Sequence, residues 1–275
     1  MIKRTITAIC AIALFIPVCY FSDTFVFPAV MAFLSTVAVY EMLKCVGLYK
    51  KKSVSVPSYL LGAAMPLIPY FIDKKTVEIE FALCVIYLIV IFASDIFSKG
   101  KTEFPVSASA FMGVFYIAVS FTCIVLIRKS GEYLYLLVFI GPWVSDTFAY
   151  LCGRLFGKHK LIPEVSPKKT IEGSIGGIVF SSVSFALYAF VISHFFDISS
   201  SPNYFVMAAA GAVVSVISQI GDLSASVIKR YFGIKDYGWL FPGHGGVMDR
   251  FDSVIMTAPV LYILTEIPGL VEHFI

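Results

Sequence analysis

Apolar runs set apart by short polar stretches limit what this chain can fold into. They extend over residues 6–21, 25–42, 58–72, 81–97, 108–127, 133–151, 174–196, 204–225 and 251–270. Crossing the hydrocarbon core of a bilayer takes ~20 mostly apolar residues in a helix. Within lipid every backbone N–H and C=O must be satisfied inside the protein, which a helix does for itself. Composition agrees, with 14% of the 275 residues charged and 59% hydrophobic. A soluble domain carries about 25% charged residues. The pattern predicts an all-α, polytopic integral membrane protein with about nine transmembrane helices. The first run follows Lys3 and Arg4, as a signal peptide would. No small-residue cleavage site follows, and the next run begins after Ser22-Asp23-Thr24, so it reads as a retained helix.

Lys and Arg set the orientation. With the N-terminus cytoplasmic, 17 of the 21 basic residues fall on the cytoplasmic side, all but Lys74, Lys75, Arg128 and Lys129. The positive-inside rule therefore favours this topology. It puts both polar loops of the C-terminal half in the cytoplasm, where nucleotides are. No convincing internal repeat and no soluble linker divide the chain. It reads as a single integral membrane domain over 1–275, with 1–132 a helical scaffold and 133–275 the half that carries the chemistry. In the scaffold, Glu41 and Asp95 read as helix-end acids paired locally with Lys44 and Lys99. Pro66 and Pro69 are expected to kink the third span. The six cysteines sit mostly in apolar runs with no C-x-x-C pair, so they read as small buried hydrophobes.

Polar residues concentrate late in the chain. The sixth run holds Trp143 and Asp146, the eighth holds Gln219 and Asp222, and the ninth opens Asp249-Arg250-Phe251-Asp252. An aspartate in a span costs several kcal/mol unless it is paired or faces a polar cavity. On a helix, Asp222, Ser226, Lys229 and Arg230 share one face, as do Asp249 and Asp252. Carboxylates so placed on neighbouring helices suit Mg²⁺, which takes one or two of them plus substrate phosphates. Pro242-Gly243-His244-Gly245-Gly246 precedes the last helix, where a backbone can approach an anion and a helix N-terminus supplies N–H donors. The preceding polar loop adds Arg154, Lys158, Lys160, Lys168 and Lys169. Neither a Walker loop nor a strand-linked G-x-G-x-x-G is present, so the usual soluble nucleotide folds are excluded. Nothing points to nucleic acid. An ion-coupled transporter would also carry intramembrane Asp and Gln on interrupted helices, but one-sided basic loops and the lack of a repeat argue against it.

The run from Ser226 to Asp252 reads S-x-x-K-R, four residues, K-D, then P-x-H-G-G-x-x-D-R-x-D. In this it closely resembles the phosphatidate cytidylyltransferase (CDP-diacylglycerol synthase) family. Upstream, Trp143, Asp146, Ala149-Tyr150, Gly153, Gly157-Lys158, Ser166-Pro167-Lys168-Lys169-Thr170 and Glu172-Gly173 also look like that family. Many members carry Glu where this chain has Ala225. The resemblance implies a homodimeric enzyme of the bacterial inner membrane, its site facing the cytoplasm. It would make CDP-diacylglycerol and pyrophosphate from CTP and phosphatidate. It further implies Mg²⁺ at Asp222 and Asp249, with K⁺ as a second cation. On this reading Asp222, Lys229, Arg230, Asp249 and Arg250 are catalytic. Substrate binding falls to Asp146, Lys168, Lys169, Ser226, Lys235, Asp236, His244, Gly245, Gly246 and Asp252. A CTP-dependent lipid kinase, which moves a different phosphoryl group, is the competing enzyme.

Overall fold

The computed structural model describes residues 2–98, 103–196, 202–243 and 245–267. His244, Lys99 and Lys101 lie outside them. Among the described residues the long helices are α1 (Ile2–Tyr20), α2 (Val26–Cys45), α3 (Lys52–Ala64), α4 (Thr76–Phe97), α5 (Phe104–Ser130), α6 (Leu137–Phe156), α7 (Ile171–Phe195), α8 (Tyr204–Tyr231) and α9 (Met248–Glu266). Each overlaps one of the apolar runs. Among the described residues seven spans are long and apolar enough to cross a membrane: α2, α3 continued to Phe71, and α4 to α8. The protein is an all-α polytopic membrane protein. On α4 the apolar side chains of Phe81, Ile96 and Phe97 stand 70%, 73% and 84% exposed. A helix that turns such side chains outward is built for a lipid environment.

Helix ends extend beyond the apolar runs for local reasons. The α8 helix continues past Ala225 to Tyr231 and takes Lys229 and Arg230 into its last turn. Cations there complement the negative end of the helix dipole. After Ala64 the third span passes through a 3-10 turn (Met65–Leu67) into a short helical stub (Ile68–Phe71). Pro66 and Pro69 lie in these two pieces, as expected of residues that interrupt a regular helix.

The chain divides into two compact units. The first comprises Met1–Val125 with Tyr231–Phe251. Its core is built on Phe27, Met31, Met42, Leu43, Ile117, Phe121 and Ile124, all essentially without exposure. Here α4 presents Cys84, Tyr87 and Ile91 inward at helical spacing, and the Tyr87 hydroxyl meets Ser58 Oγ of α3 at 2.8 Å. The second comprises Leu126–Arg230 with Asp252–Ile275. In it α6 and α7 pack closely because α7 offers glycine at the contact. A Cβ on Gly173 would stand 2.5 Å from the Ala149 carbonyl, and one on Gly177 would stand 2.9 Å from that of Ser145. Such small-residue stripes let helix backbones touch where hydrophobic driving force is weak.

The segment between α6 and α7, read from the sequence as a basic loop, forms a small antiparallel hairpin of β1 (Lys160–Ile162) and β2 (Ser166–Thr170). Glu172 ties its base. That carboxylate accepts from the backbone N–H of Lys158 at 3.1 Å and of His159 at 3.2 Å, and meets His159 Nδ1 at 2.7 Å. Thr170 then caps α7 by accepting from Gly173 N at 3.2 Å. A threonine before a helix that carries an acid in its first turn is a regular start signal.

Candidate functional site

In the second unit four elements bring charge together. Successive strand residues face opposite ways, so β2 turns Lys168 outward and Lys169 inward. Lys169 Nζ meets Asp222 Oδ2 on α8 at 2.5 Å. Asp252, early in α9, lies within electrostatic range of Asp222, of Lys229 and of Asp146 on α6. The helices that carry Asp222 and Asp252 approach closely: a Cβ on Gly221 would stand 2.8 Å from the Asp252 carbonyl. Ser253 joins the group, its backbone N–H donating to Asp252 Oδ1 at 2.8 Å and its hydroxyl reaching Asp146 Oδ2 at 3.5 Å. Asp252 thus has Asp222, Lys229 and Asp146 in range, Asp222 pairs with Lys169, and Ser226 lies half-buried one turn along α8 from Asp222.

Beside this cluster Gln219, which the sequence grouped with Asp222, serves another purpose. It accepts from Ser174 Oγ of α7 at 2.5 Å and donates through Nε2 to the Ser174 carbonyl and to Ser215 Oγ, both at 3.2 Å. Ser215 in turn meets Ser145 of α6 at 2.7 Å. This ladder satisfies polar groups within three helices, which is what an intramembrane amide needs. Ala225, where the family often has Glu, is 5% exposed.

In the first unit the other half of the signature forms a closed loop. Asp249 is buried at the start of α9, and its Oδ2 accepts from Tyr237 N at 2.8 Å and Gly246 N at 3.0 Å. Phe241 N donates to the Gly245 carbonyl at 2.9 Å across the tip. Gly243 and Gly245 adopt φ of 79° and 89°, a region where a side chain is strained. Lys235, Asp236 and Arg250 are exposed here, as are Lys168 and Arg230 in the second unit.

Two expectations change. The first concerns the helix N-terminal N–H groups offered to a phosphate. Those of Gly246, Val247 and Met248 are taken by Asp249 Oδ2, Glu41 Oε1 and Glu41 Oε2. A phosphate would have to displace a carboxylate to reach them. The second concerns Glu41, whose carboxylate binds the backbone at Val247 and Met248 besides having Lys44 in electrostatic range. One hint was visible beforehand, an acid near the end of an otherwise apolar helix. Its partners lie 206 and 207 residues away, beyond any reading of local spacing. Asp95 meets Lys51 Nζ at 3.8 Å and accepts from Ser107 Oγ at 2.7 Å.

Among the described residues no three His, Cys, Asp or Glu side chains converge as a ready-made ion cage. A magnesium site that is completed by substrate phosphates does not need one.

The profile of the cytidylyltransferase family matches residues 2–268 of this chain. The chain is 34% identical over 263 residues to a phosphatidate cytidylyltransferase of Staphylococcus haemolyticus (strain JCSC1435), covering 95% of this chain and 97% of that one. It is 32% identical, with the same coverage, to the protein of that name in Staphylococcus aureus (strain COL). A third of that name, from Staphylococcus epidermidis (strain ATCC 12228 / FDA PCI 1200), is 34% identical with the same coverage.

Proposed function

This chain belongs to the cytidylyltransferase family, and we propose that it transfers cytidylyl from CTP to phosphatidate, giving CDP-diacylglycerol and pyrophosphate for phospholipid synthesis. The observation that carries the reading is the Lys169–Asp222 pair with Asp252 and Lys229 beside it. These residues belong to the polar motifs by which the sequence resembles the phosphatidate enzymes, and near-complete coverage by relatives of that name supports the same substrates.

The reaction follows from charge. A phosphate monoester has a second pKa of about 6, so the terminal phosphate of phosphatidate is largely dianionic at neutral pH. One of its oxygens attacks the α-phosphorus of CTP, a new P–O bond forms, and the bond to the β-phosphate breaks. Pyrophosphate leaves with that electron pair. No proton has to be removed from the nucleophile, so no general base is required. The difficulty is holding two polyanions together, and catalysis of such transfers is mostly positioning and charge neutralisation. Lys169 and Lys229, beside Asp222 and Asp252, are the proposed groups for this in the second unit. Lys168, Arg230, Lys235 and Arg250 are exposed cations assigned to phosphate contact, and Ser226, Asp236, Gly245 and His244 to substrate binding.

Magnesium is the proposed cofactor, with Asp222 and Asp249 as ligands. The local fit differs between them. Asp222 already holds a cation, the Lys169 ammonium, through a carboxylate oxygen. Asp249 has Oδ2 engaged by two backbone N–H groups, so a metal there shares the carboxylate with the loop. When bound, the ion neutralises charge on the attacking and leaving oxygens. Potassium as a second cation, a homodimeric state and a site on the cytoplasmic face of the bacterial inner membrane complete the proposal. The orientation is supported by the one-sided distribution of Lys and Arg.

Purified protein with phosphatidate, Mg²⁺ and CTP labelled at either the α or the γ phosphorus tests the reading. The α label should enter lipid and the γ label should leave in pyrophosphate. Label from the γ position in lipid would mean a CTP-dependent lipid kinase instead.

A further inference from the structure

We infer that Glu41, on α2 and outside every motif of the signature, is a positioning residue that fixes the loop and helix start bearing Gly245, Gly246, Asp249 and Arg250. The inference rests on the cytidylyl-transfer reading above. Glu41 is 3% exposed on an apolar helix. Its Oε1 accepts from Val247 N at 3.1 Å and its Oε2 from Met248 N at 2.9 Å. The backbone wraps the carboxylate on two more sides, because a Cβ at either Gly238 or Gly246 would overlap it. Glu41 and Asp249 therefore act as paired internal acceptors within the first unit. Asp249 gathers Tyr237 N and Gly246 N, the two ends of the loop, and Glu41 gathers the two residues that follow.

The chemistry requires a carboxylate. Two separate N–H donors each need an acceptor, and an ionised Glu offers an oxygen to each. Gln offers one oxygen and turns an NH₂ toward the other donor. Glu41 is thus matched to the first turn of α9, where helix N–H groups lack partners of their own. Asp249 and Arg250 are the next residues along, so their side-chain directions follow from how Val247 and Met248 are held. Glu41 touches no substrate in this scheme and works only through that backbone.

The full-length protein in phosphatidate-containing micelles gives the test. Glu41→Gln keeps the shape and removes one acceptor, whereas Glu41→Asp keeps both oxygens but withdraws them by a methylene. Misplacement on the order of 1 Å costs roughly 100-fold in turnover. The expectation is a fall of that order in kcat for Glu41→Gln, per folded molecule, with a smaller change in KM for CTP and an intermediate effect for Glu41→Asp. Hydrogen exchange should quicken at the amides of Val247 and Met248 in Glu41→Gln, while the amides of α4 stay as in the parent. Unchanged exchange at those two amides would overturn the contact. Faster exchange with kcat within twofold of the parent would overturn the positioning role, as would a loss confined to the yield of folded protein. If the parent chain itself labels no lipid from α-labelled CTP, the cytidylyl-transfer reading fails and takes the catalytic consequence with it. Exchange at Val247 and Met248 then still decides whether Glu41 holds the loop.

Discussion

Acids in the two units are held in different ways. In the first unit Glu41 and Asp249 are nearly buried and accept from backbone N–H groups of one loop. In the second, Asp222 is partly exposed and meets the tip of a lysine side chain, with a second carboxylate in range. A carboxylate bound to backbone is committed to the architecture, since releasing it leaves amide groups without partners. One bound to an ammonium tip is exchangeable. A substrate phosphate competes for the lysine and a cation competes for the acid. The second arrangement suits a site that must open and refill in each turnover, and the first suits a fixed framework.

The comparison is tested most severely by neutralising one acid of each kind. Asp222→Asn should lower CTP-dependent turnover by roughly 100- to 1000-fold, the range seen when one preorganised electrostatic group is lost, with little change in thermal unfolding in detergent. Asp249 separates its two roles by substitution. An asparagine oxygen has two lone pairs and can accept from both Tyr237 N and Gly246 N. Asp249→Asn should therefore keep the fold while losing the charge, and turnover should fall as far as for Asp222→Asn if Asp249 holds metal. Asp249→Ala should also destabilise, by about 1–3 kcal/mol for each buried donor left without an acceptor. Equal stability of the Asn and Ala variants would show that this carboxylate is not the tie we describe.

A smaller effect distinguishes exchangeable from committed acids directly. Lys169 and Asp222 have side chains 24% and 30% exposed, and a pair of that kind contributes only about 0–1 kcal/mol to stability. Lys169→Met should leave the unfolding temperature nearly unchanged. Turnover should drop by roughly 10- to 150-fold, the equivalent of one hydrogen bond to a charged group at ~1.5–3 kcal/mol. Full activity with a marked loss of stability would place Lys169–Asp222 with the framework and remove the contrast between the units.

Much of this was legible in the chain. Hydrophobic runs located the long helices of the described residues because a bilayer sets both length and composition. Helical spacing placed Asp222 and Lys229 on one face, and both contribute to the cluster around Asp252. Three things escaped. The β-hairpin was hidden because its strands are three and five residues long and basic, with no apolar alternation to mark them. The glycine-rich turn was read as an open anion cradle, yet its neighbouring donors are already engaged by carboxylates. Nothing in local sequence announces that an acid 206 residues earlier will fill such a place. Gln219 was grouped with Asp222 by proximity on one helix, although three residues of α-helix turn a side chain about 300°. That rotation leaves it near the same face but against different neighbours, the serines of α6, α7 and α8.

The ladder around Gln219 gives the smallest expected effect and the cleanest boundary of the site. Leucine has a similar volume and a good helix propensity, so Gln219→Leu removes hydrogen bonds without opening a cavity. It leaves Ser215 with its partner Ser145, and Ser174 free to turn back to its own helix. Interhelical hydrogen bonds in membranes contribute about 0.6 kcal/mol on average and ~1.7 at most, so thermal unfolding should shift by no more than the equivalent of one or two such bonds. Turnover should stay within twofold of the parent. A loss of turnover beyond tenfold with an unchanged melting temperature would extend the site one turn deeper along α8. Gln219 would then belong with Asp222 after all, and the division between frame and exchangeable acids would have to be drawn within a single helix.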